Sequence, residues 1–337
     1  MEKIKKKIII TGNLGYFGSV LTDYLIKKNY EIVGVDLGWF KDDLVVKNKK
    51  LKFEQHIKSF SSISQKEISD ADCIVHLAGV SNDPIGNEFK KITQKINVVE
   101  TKKLIDKVSK FKDITFIFAS SCSVYGFAEN NYKTEKSKTA PLTEYSKSKV
   151  IIEKYLKKKK IKSVVLRYAT ACGVSPRLRL DLVLNDFVTN ALKKNEIEIL
   201  SDGKPKRPLI DVLDMCKSIN YAIEGRLSKN NKMQIYNVGS TKNNYSILQI
   251  AKKVKYNFKK IFDKKISIKV NKIHSKDKRS YLVNFKKYEN TLKFNLKSKS
   301  IDQSIQELAK SINKNSKINK NFRNGNFIRL NKLRKIL

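Results

Sequence analysis

Tyr145 and Lys149 stand four positions apart in the stretch TEYSKSKVIIEKYL, which predicts a helix. Residues at i and i+4 share one face of a helix, so the lysine ammonium would lie beside the tyrosine phenol. A neighbouring positive charge favours the phenolate and lowers the tyrosine pKa, which would make Tyr145 a general base. Tyr155 and Lys159 repeat this spacing in the same helix, so the pair by itself is also compatible with chance in a lysine-rich chain.

Two hydroxyl groups lie upstream in the stretch FIFASSCSVYG, which predicts a strand that ends in a turn. Because side chains alternate across a strand, we expect Ser121 and Ser123 on one face and Cys122 on the other. The two hydroxyls would then point toward the same reactant as Tyr145. Cys122, facing away, is interpreted as a small core residue rather than a nucleophile.

The elements that must position these groups begin at the N-terminus, where Gly12, Gly15 and Gly18 follow three isoleucines in KIIITGNLGYFGSV. A strand, a glycine-rich turn and a helix in this order present backbone N–H groups and a positive dipole end to a pyrophosphate. Asp36 ends the next predicted strand, where a carboxylate accepts hydrogen bonds from an adenosine ribose and repels a 2′-phosphate. No arginine stands directly after Asp36 to neutralise such a phosphate, so NAD is favoured over NADP. An ordinary tight turn is the alternative for the glycines alone.

Strands and helices alternate up to Gly173, which predicts an α/β fold with a doubly wound parallel sheet covered on both faces. Beyond Gly173 the segments are mostly helical with short strands, which indicates a smaller α/β region. The expected parts are a dinucleotide-binding domain at 1–172 with 206–240 returning to it, a substrate-binding region at 173–205 and 241–312, and a basic tail at 313–337.

The formal net charge of +39 raises nucleic-acid binding as an alternative. Only nine of the 71 basic residues are arginine, and lysine is spread over every segment, which disfavours a base-reading surface. The four cysteines lie more than 40 residues apart, a pattern that gives neither metal-ligand spacing nor a dense disulfide framework. No apolar run approaches the roughly 18 residues that cross a bilayer. We therefore expect a cytoplasmic protein with reduced thiols and no metal.

In combination, the motifs resemble the extended short-chain dehydrogenase/reductase family, in its NAD-dependent epimerase/dehydratase branch that acts on nucleotide sugars. The resemblance covers about Lys7 to Ile312 and rests on TGNLGYFGS, DCIVHLAGVSNDP, INVVET, SSCSVYG, YSKSK, LRYATACG, DGKPKRPLIDVLD and YNVGS. It implies a Rossmann-like NAD-binding domain. It also implies an enzyme in which Tyr145 and Lys149 are the catalytic pair and Ser121 is the hydroxyl beside the reacting sugar oxygen.

The resemblance implies further contacts with cofactor and substrate. The implied cofactor contacts are Gly12, Asn13, Gly15, Tyr16, Phe17, Gly18, Asp36, Ile57, Leu77, Ala78, Gly79, Tyr145, Lys149 and Asn97, the last supporting the active-site lysine. The implied substrate contacts are Ser121, Ser123, Asn185, Arg207 and Arg279, the two arginines pairing with the diphosphate, while Arg177 and Arg179 are weaker candidates. The helices near Val98–Val108 and Glu144–Leu156 resemble a family dimer interface, so we expect a homodimer.

Departures from the family pattern refine the expected activity. His56-Ile57 replaces a usual Asp-Ile beside adenine, and Asn13 replaces a glycine, which asparagine tolerates because it adopts left-handed geometry readily. Cys122-Ser123 stands where the family's 4,6-dehydratases usually carry acidic residues, so the chain resembles a 4-epimerase more closely. The alternatives are a 4-keto reductase, a 4,6-dehydratase of the same family, and a non-catalytic dinucleotide sensor.

Overall fold

The computed structural model describes residues 5–41, 53–128, 131–228, 232–271, 279–293 and 298–337. The described strands are β1 Lys7–Thr11, β2 Glu31–Asp36, β3 Glu54–Ile57, β4 Cys73–His76, β5 Thr115–Ser121, β6 Ser163–Tyr168, β7 Thr170–Cys172, β8 Glu196–Ile199, β9 Lys206–Asp211, β10 Gln234–Val238, β11 Asn244–Ser246 and β12 Ser267–Val270. The described α-helices are α1 Tyr16–Lys27, α2 Gln65–Ser69, α3 Asp83–Glu88, α4 Lys90–Gln94, α5 Thr101–Val108, α6 Glu144–Lys159, α7 Val183–Lys194, α8 Val212–Ile223, α9 Ile247–Phe262, α10 Lys286–Leu292, α11 Ile301–Asn313 and α12 Arg329–Ile336.

Among the described residues, seven strands form one sheet in the order β10-β6-β5-β4-β1-β2-β3. Every neighbouring pair is parallel. The chain winds outward from β1 in one direction to β3, then returns to β4 and winds in the other direction. The predicted doubly wound, Rossmann-like parallel sheet is therefore confirmed. The order reverses between β1 and β4, and it is outside the carboxyl ends of such strands that this architecture binds ligands.

The three isoleucines of β1 show how the sheet is buried on both faces. Ile8 and Ile10 pack into the core that includes residues of α1 and α8, whereas Ile9 packs into the opposite core with residues of α5 and α6. Central strands of a parallel sheet are covered by helices on each side, so their sequences become continuously apolar rather than alternating.

A third core forms where α7, α9 and α11 pack against the short strands. In the described ranges β11, β9 and β7 form a three-stranded sheet, and β12 pairs with β8. Of the segment 206–240, β10 lies in the large sheet while β9 lies in this smaller one. The chain then reaches α12, which packs against α3. Within the residues that the structure covers, no helix combines the length and the apolar character needed to cross a bilayer.

Candidate active site

A cavity of about 800 Å³ opens at the carboxyl edge of the large sheet, between that sheet and the smaller region. Its wall combines the turn after β1, the ends of β2, β4 and β5, the start of α6, and parts of the second half of the chain. The predicted site residues that line it are Gly12, Gly15, Tyr16, Phe17, Gly18, Asp36, Leu77, Ala78, Gly79, Ser121, Ser123, Tyr145, Lys149, Arg207 and Arg279.

The glycine-rich turn is a cradle that side chains would fill. Gly12 has a φ of +77°, and a Cβ at this position would lie 2.7 Å from the backbone nitrogen of Ala78. A Cβ on Gly18 would collide with the carbonyl oxygen of Gly12. α1 begins directly after Gly15 with no side-chain cap, which leaves its first amide groups available to an anion. These residues therefore fit the pyrophosphate of a dinucleotide.

Asp36 lies at the end of β2, where two backbone hydrogen bonds orient its carboxylate. Oδ2 accepts from the N–H of Leu14 at 3.1 Å, and Oδ1 accepts from the N–H of Gly38 at 2.8 Å. Burial raises the pKa of Asp36, and both hydrogen bonds and the charges of Arg177 and Arg329 act in the opposite direction. No arginine stands directly after Asp36 in the sequence, but the fold brings Arg177 and Arg329 close enough for their charges to affect its pKa. The oriented carboxylate at the cavity wall fits the ribose hydroxyls of an adenosine.

The capping of α6 places Tyr145 and Lys149 at the cavity. Thr143 caps the helix by accepting from the N–H of Ser146 at 3.2 Å, and Ser146 Oγ accepts from the N–H of Thr143 at 3.1 Å. Lys149 is buried, with Nζ 4.7 Å from the Phe118 ring centroid and 5.4 Å from that of Tyr145. Ser121 lies close enough to the Tyr145 phenol for its hydroxyl to lower the pKa of that group. The structure thus brings together the three residues predicted to be catalytic.

The electrostatics of this pair differ from the prediction. Burial lowers the pKa of Lys149 to about 8, and the nearby charge of Glu153 opposes this shift. Burial, followed by the charge of Asp83, raises the pKa of Tyr145, while the charge of Arg179 and the nearby Ser121 hydroxyl lower it. The predicted lowering of the Tyr145 pKa is therefore wrong for the protein's own residues, because desolvation of the phenolate outweighs the cations around it.

The two serines reach the cavity by a different route from the one predicted. β5 ends at Ser121, and Cys122–Tyr125 form a 3₁₀ turn, so strand alternation does not extend to Ser123. The N–H of Ser123 donates to Ser121 Oγ at 3.2 Å, and the turn directs both residues to the cavity wall. The buried Ser123 hydroxyl has no hydrogen-bond partner among the described residues. Cys122 is fully buried and donates to the carbonyl of Arg167 at 3.2 Å, as expected for a core residue.

Three residues predicted to contact the cofactor, Asn13, Ile57 and Asn97, do not line the cavity that the described residues form. Asn13 turns away from it, and its side-chain nitrogen donates to Gln55 Oε1 at 2.6 Å. Asn13 also has no positive φ, because the left-handed position of the turn is taken by Gly12. Ile57 ends β3 with 57% of its surface exposed, outside the cavity wall. All three positions were inferred from the family pattern, which does not reveal how this turn pairs with Gln55.

Asn97 and Asn185 stabilise segments of the cavity wall through hydrogen bonds to backbone groups. The amide of Asn97 accepts from the N–H of Val80 at 2.8 Å and donates to the Val80 carbonyl at 2.9 Å. The amide of Asn185 accepts from the N–H of Gly173 at 3.1 Å and donates to the carbonyl of Arg179 at 2.8 Å. Asn97 also donates to the hydroxyl of Ser148, the neighbour of Lys149 in α6, at 3.3 Å. The support of Lys149 by Asn97 and the substrate contact of Asn185 stay predictions.

A polar cluster around Asp83 borders the cavity near Tyr145. Arg279 forms an ion pair with Asp83, which also accepts a hydrogen bond from the hydroxyl of Thr143. Arg207 lies with its guanidinium 5.4 Å from the Tyr281 ring centroid and donates to the carbonyl of Arg279 at 2.5 Å. Sequence reasoning missed Asp83, whose only signal is the Asn-Asp-Pro start of α3.

Arg179, a weaker candidate in the sequence, also lines the cavity. Its guanidinium donates to both oxygens of Asp181 at 2.9 Å and to the Ser81 hydroxyl at 3.0 Å. Asp181 neutralises the charge of Arg179. Through its bond to Ser81, Arg179 also links the segment that precedes α7 to the loop after β4.

Comparisons with known proteins identify the same family that the sequence motifs resemble. The model of the NAD dependent epimerase/dehydratase family matches residues 8–239. The chain is 28% identical over 228 residues to the uncharacterized UDP-glucose epimerase YtcB of Bacillus subtilis (strain 168), covering 63% of this chain and 71% of that protein. It is 27% identical over 278 residues to the dTDP-D-glucose 4,6-dehydratase of Dictyostelium discoideum, covering 74% and 61%. The crystal structure of UDP-glucuronic acid 4-epimerase from Bacillus cereus, in complex with UDP-glucuronic acid and NAD, matches with a TM-score of 0.76, 23% identity and coverage of 91% and 99%.

Proposed function

Because this chain belongs to the NAD dependent epimerase/dehydratase family, an enzyme family whose cofactor is NAD, we propose that it is a nucleotide-sugar 4-epimerase. The observation that carries the proposal is the meeting of Tyr145, Lys149 and Ser121 in one cavity. The chain places Cys122 and Ser123, and no carboxylate, directly after this serine.

The cofactor half of the cavity is built from backbone groups and one carboxylate. The amides at the start of α1 would hold the pyrophosphate, and Asp36 would accept hydrogen bonds from the adenosine ribose. When bound, NAD supplies a reversible hydride acceptor and, in its oxidised form, a cationic ring.

The proton transfer is assigned to Tyr145. We infer that its phenolate accepts the proton of the sugar C4 hydroxyl as that carbon is oxidised to a ketone, and returns the proton when the ketone is reduced on its other face. Ser121, which lies near Tyr145 in the cavity wall, would donate to the same sugar oxygen. Lys149 would stabilise the phenolate through its charge, since its ammonium nitrogen lies 5.4 Å from the centroid of the Tyr145 ring.

The substrate diphosphate would lie near Arg207 and Arg279. These arginines are neighbours, since the guanidinium of Arg207 donates to the Arg279 carbonyl, and both line the cavity. Guanidinium groups pair with phosphate oxygens through two parallel hydrogen bonds, which favours arginine over lysine in this role. The ion pair of Arg279 with Asp83 would orient its guanidinium before substrate arrives.

One observation favours a dehydratase as the second candidate. Dehydration needs a carboxylic acid or carboxylate near the sugar, and Asp83 brings one to the cavity near Tyr145 from an element other than the serine turn. Its two carboxylate oxygens are already engaged, one by the Arg279 guanidinium and the other by the Thr143 hydroxyl, so neither is directed at a sugar. We therefore rank epimerisation above dehydration.

A panel of UDP-, GDP-, dTDP- and CDP-sugars tests the proposal. Each sugar is incubated with purified protein and catalytic NAD, and the products are resolved by NMR and mass spectrometry. We expect an isomer of unchanged mass, inverted at C4, with no net consumption of NAD. Loss of water from the sugar would identify a dehydratase, and stoichiometric oxidation of NADH with a keto sugar would identify a reductase. Either result would contradict the epimerase assignment.

A further inference from the structure

The C-terminal segment, residues 314–337, lies beyond the match to the family and beyond the resemblance seen in the sequence. The sequence predicts a basic tail, and in the structure the segment is docked on the rest of the molecule. Ile318, Phe322 and Leu333 are 1–3% exposed. The backbone of Phe327 accepts a hydrogen bond from the N–H of Leu180 at 3.0 Å. The segment therefore belongs to the folded structure.

Helix α12 bridges two loops that form walls of the cavity. Leu333 is buried with Val80 and Ile85, which follow β4, and the neighbouring Trp39 and Phe40, which follow β2, pack against this cluster. On the outer side, Arg334 donates to both carboxylate oxygens of Glu88 in α3, at 2.6 and 2.8 Å. The two loops lie on either side of the glycine turn, so α12 closes the space between them.

Arg329, the first residue of α12, lies at the end of the cavity where Asp36 is found. It is 3% exposed and lines the cavity, with its guanidinium 3.8 Å from the ring centroid of Phe40. Its Nη2 donates to the carbonyl of Arg177 at 3.3 Å. Its positive charge lowers the pKa of Asp36 and so favours the ionised carboxylate that accepts hydrogen bonds from a ribose. A planar guanidinium also stacks on aromatic faces, including a purine.

We propose that the C-terminal segment is a wall of the dinucleotide site, in which Arg329 binds the adenosine end of NAD and α12 holds the two loops around it. The inference rests on NAD as the cofactor and not on the reaction product. It assigns a binding role to a segment that the family model does not cover.

Trp39, the single tryptophan of the chain, lines the cavity beside Phe40 and gives a direct signal. Titration of its fluorescence with NAD⁺, ADP-ribose and nicotinamide mononucleotide measures the two halves of the cofactor separately. We expect Arg329→Ala to lower the affinity for NAD⁺ and for ADP-ribose by about tenfold, as for loss of a desolvated stacked cation. The affinity for nicotinamide mononucleotide should stay unchanged. Leu333→Ala should speed release of NAD⁺ in stopped-flow experiments.

Lys335→Ala is the matched control, because this lysine is exposed on the same helix. Circular dichroism without cofactor checks that each variant is folded. If Arg329→Ala does not fold, Arg329→Gln removes the charge and keeps a polar, unbranched side chain. This variant should also bind ADP-ribose more weakly than the wild type. Wild-type affinity for ADP-ribose in a folded Arg329 variant would overturn the proposal. An equal loss of affinity for ADP-ribose and for nicotinamide mononucleotide would also overturn the proposal, since this result would indicate a general structural defect.

Discussion

The ammonium nitrogen of Lys149 lies 5.4 Å from the centroid of the Tyr145 ring, and both side chains line the cavity. Nearly three turns further along the same helix, Lys159 lies 5.3 Å from the centroid of the Tyr155 ring. The second pair has the same spacing but binds Asp106 on the surface, with the Tyr155 hydroxyl donating at 2.6 Å. Spacing alone therefore does not define the site; position relative to the cavity does.

Lys149→Met should reduce turnover strongly and move the remaining activity to higher pH. The substitution removes a cation beside Tyr145, so burial would raise the pKa of the phenol further and less of it would be ionised at neutral pH. Initial rates measured from pH 6 to pH 10 test this. An unchanged pH profile in the variant would show that Lys149 does not control the ionisation of Tyr145.

Asp36→Ala should narrow the preference for NAD over NADP. In the wild type the carboxylate favours the ribose hydroxyls and repels a 2′-phosphate. Removing it would leave Arg177 and Arg329, whose charges reach this position, to attract that phosphate. Calorimetric affinities for both cofactors give the ratio, with Asp113→Ala on the exposed surface as the control. A wild type that binds NADP as tightly as NAD would contradict this account of Asp36.

His76 should make the folded state less stable in acid. It is buried between Thr11 and Thr101, at 2.8 and 3.1 Å, and burial lowers its pKa to about 3. Below the ordinary histidine pKa near 6.5, His76 binds a proton in the unfolded chain but not in the folded protein. The free energy of unfolding therefore falls by up to about 1.4 kcal/mol for each pH unit.

The contribution of His76 is thus complete above about pH 6.5 and declines as the pH falls toward 3. Chemical denaturation between pH 4.5 and pH 7.5 measures the slope. His76→Gln should flatten it while retaining side-chain hydrogen bonds, and the more exposed His56→Gln controls for loss of a histidine. An identical slope in wild type and His76→Gln would remove this explanation.

Self-association is expected through α5 and α6, which lie side by side on the surface. Val99, just before α5, is 49% exposed and would be covered in a dimer, and Glu100 and Lys147 offer charges of both signs nearby. Sedimentation at micromolar concentration should show a dimer, and Val99→Glu should shift it toward the monomer. A wild-type monomer under these conditions would contradict the expectation.

Those parts of the fold that depend on local periodicity were predictable. The buried isoleucines of β1, the glycine turn and the helix that carries Tyr145 each follow from short-range patterns, and parallel strand order then brings their carboxyl ends together. The serine turn shows the limit, since a 3₁₀ turn replaced the expected strand alternation but still directed both serines to the cavity.

Contributions from distant segments were not predictable. Asp83 approaches Tyr145 because α3 packs against α6, and Arg329 reaches the end of the cavity near Asp36 from the far end of the chain. Asp83 lies at the end of the DCIVHLAGVSNDP motif and Arg329 lies in none, and in neither case does the sequence reveal the role, because it depends on the packing of elements that are remote in sequence. The family pattern also does not reveal which backbone groups Asn97 and Asn185 bind within the protein.

Turnover of Tyr145→Phe, compared with Tyr155→Phe, tests the central claim most directly. The two changes remove the same oxygen from the same helix, one at the cavity and one at the surface beside Asp106. With a sugar substrate from the panel, Tyr145→Phe should keep its NAD affinity and lose roughly 10²–10⁴-fold in turnover, as expected for a general base. Tyr155→Phe should retain wild-type rates. Wild-type turnover in folded, NAD-binding Tyr145→Phe would contradict the assignment of the base and the mechanism built on it.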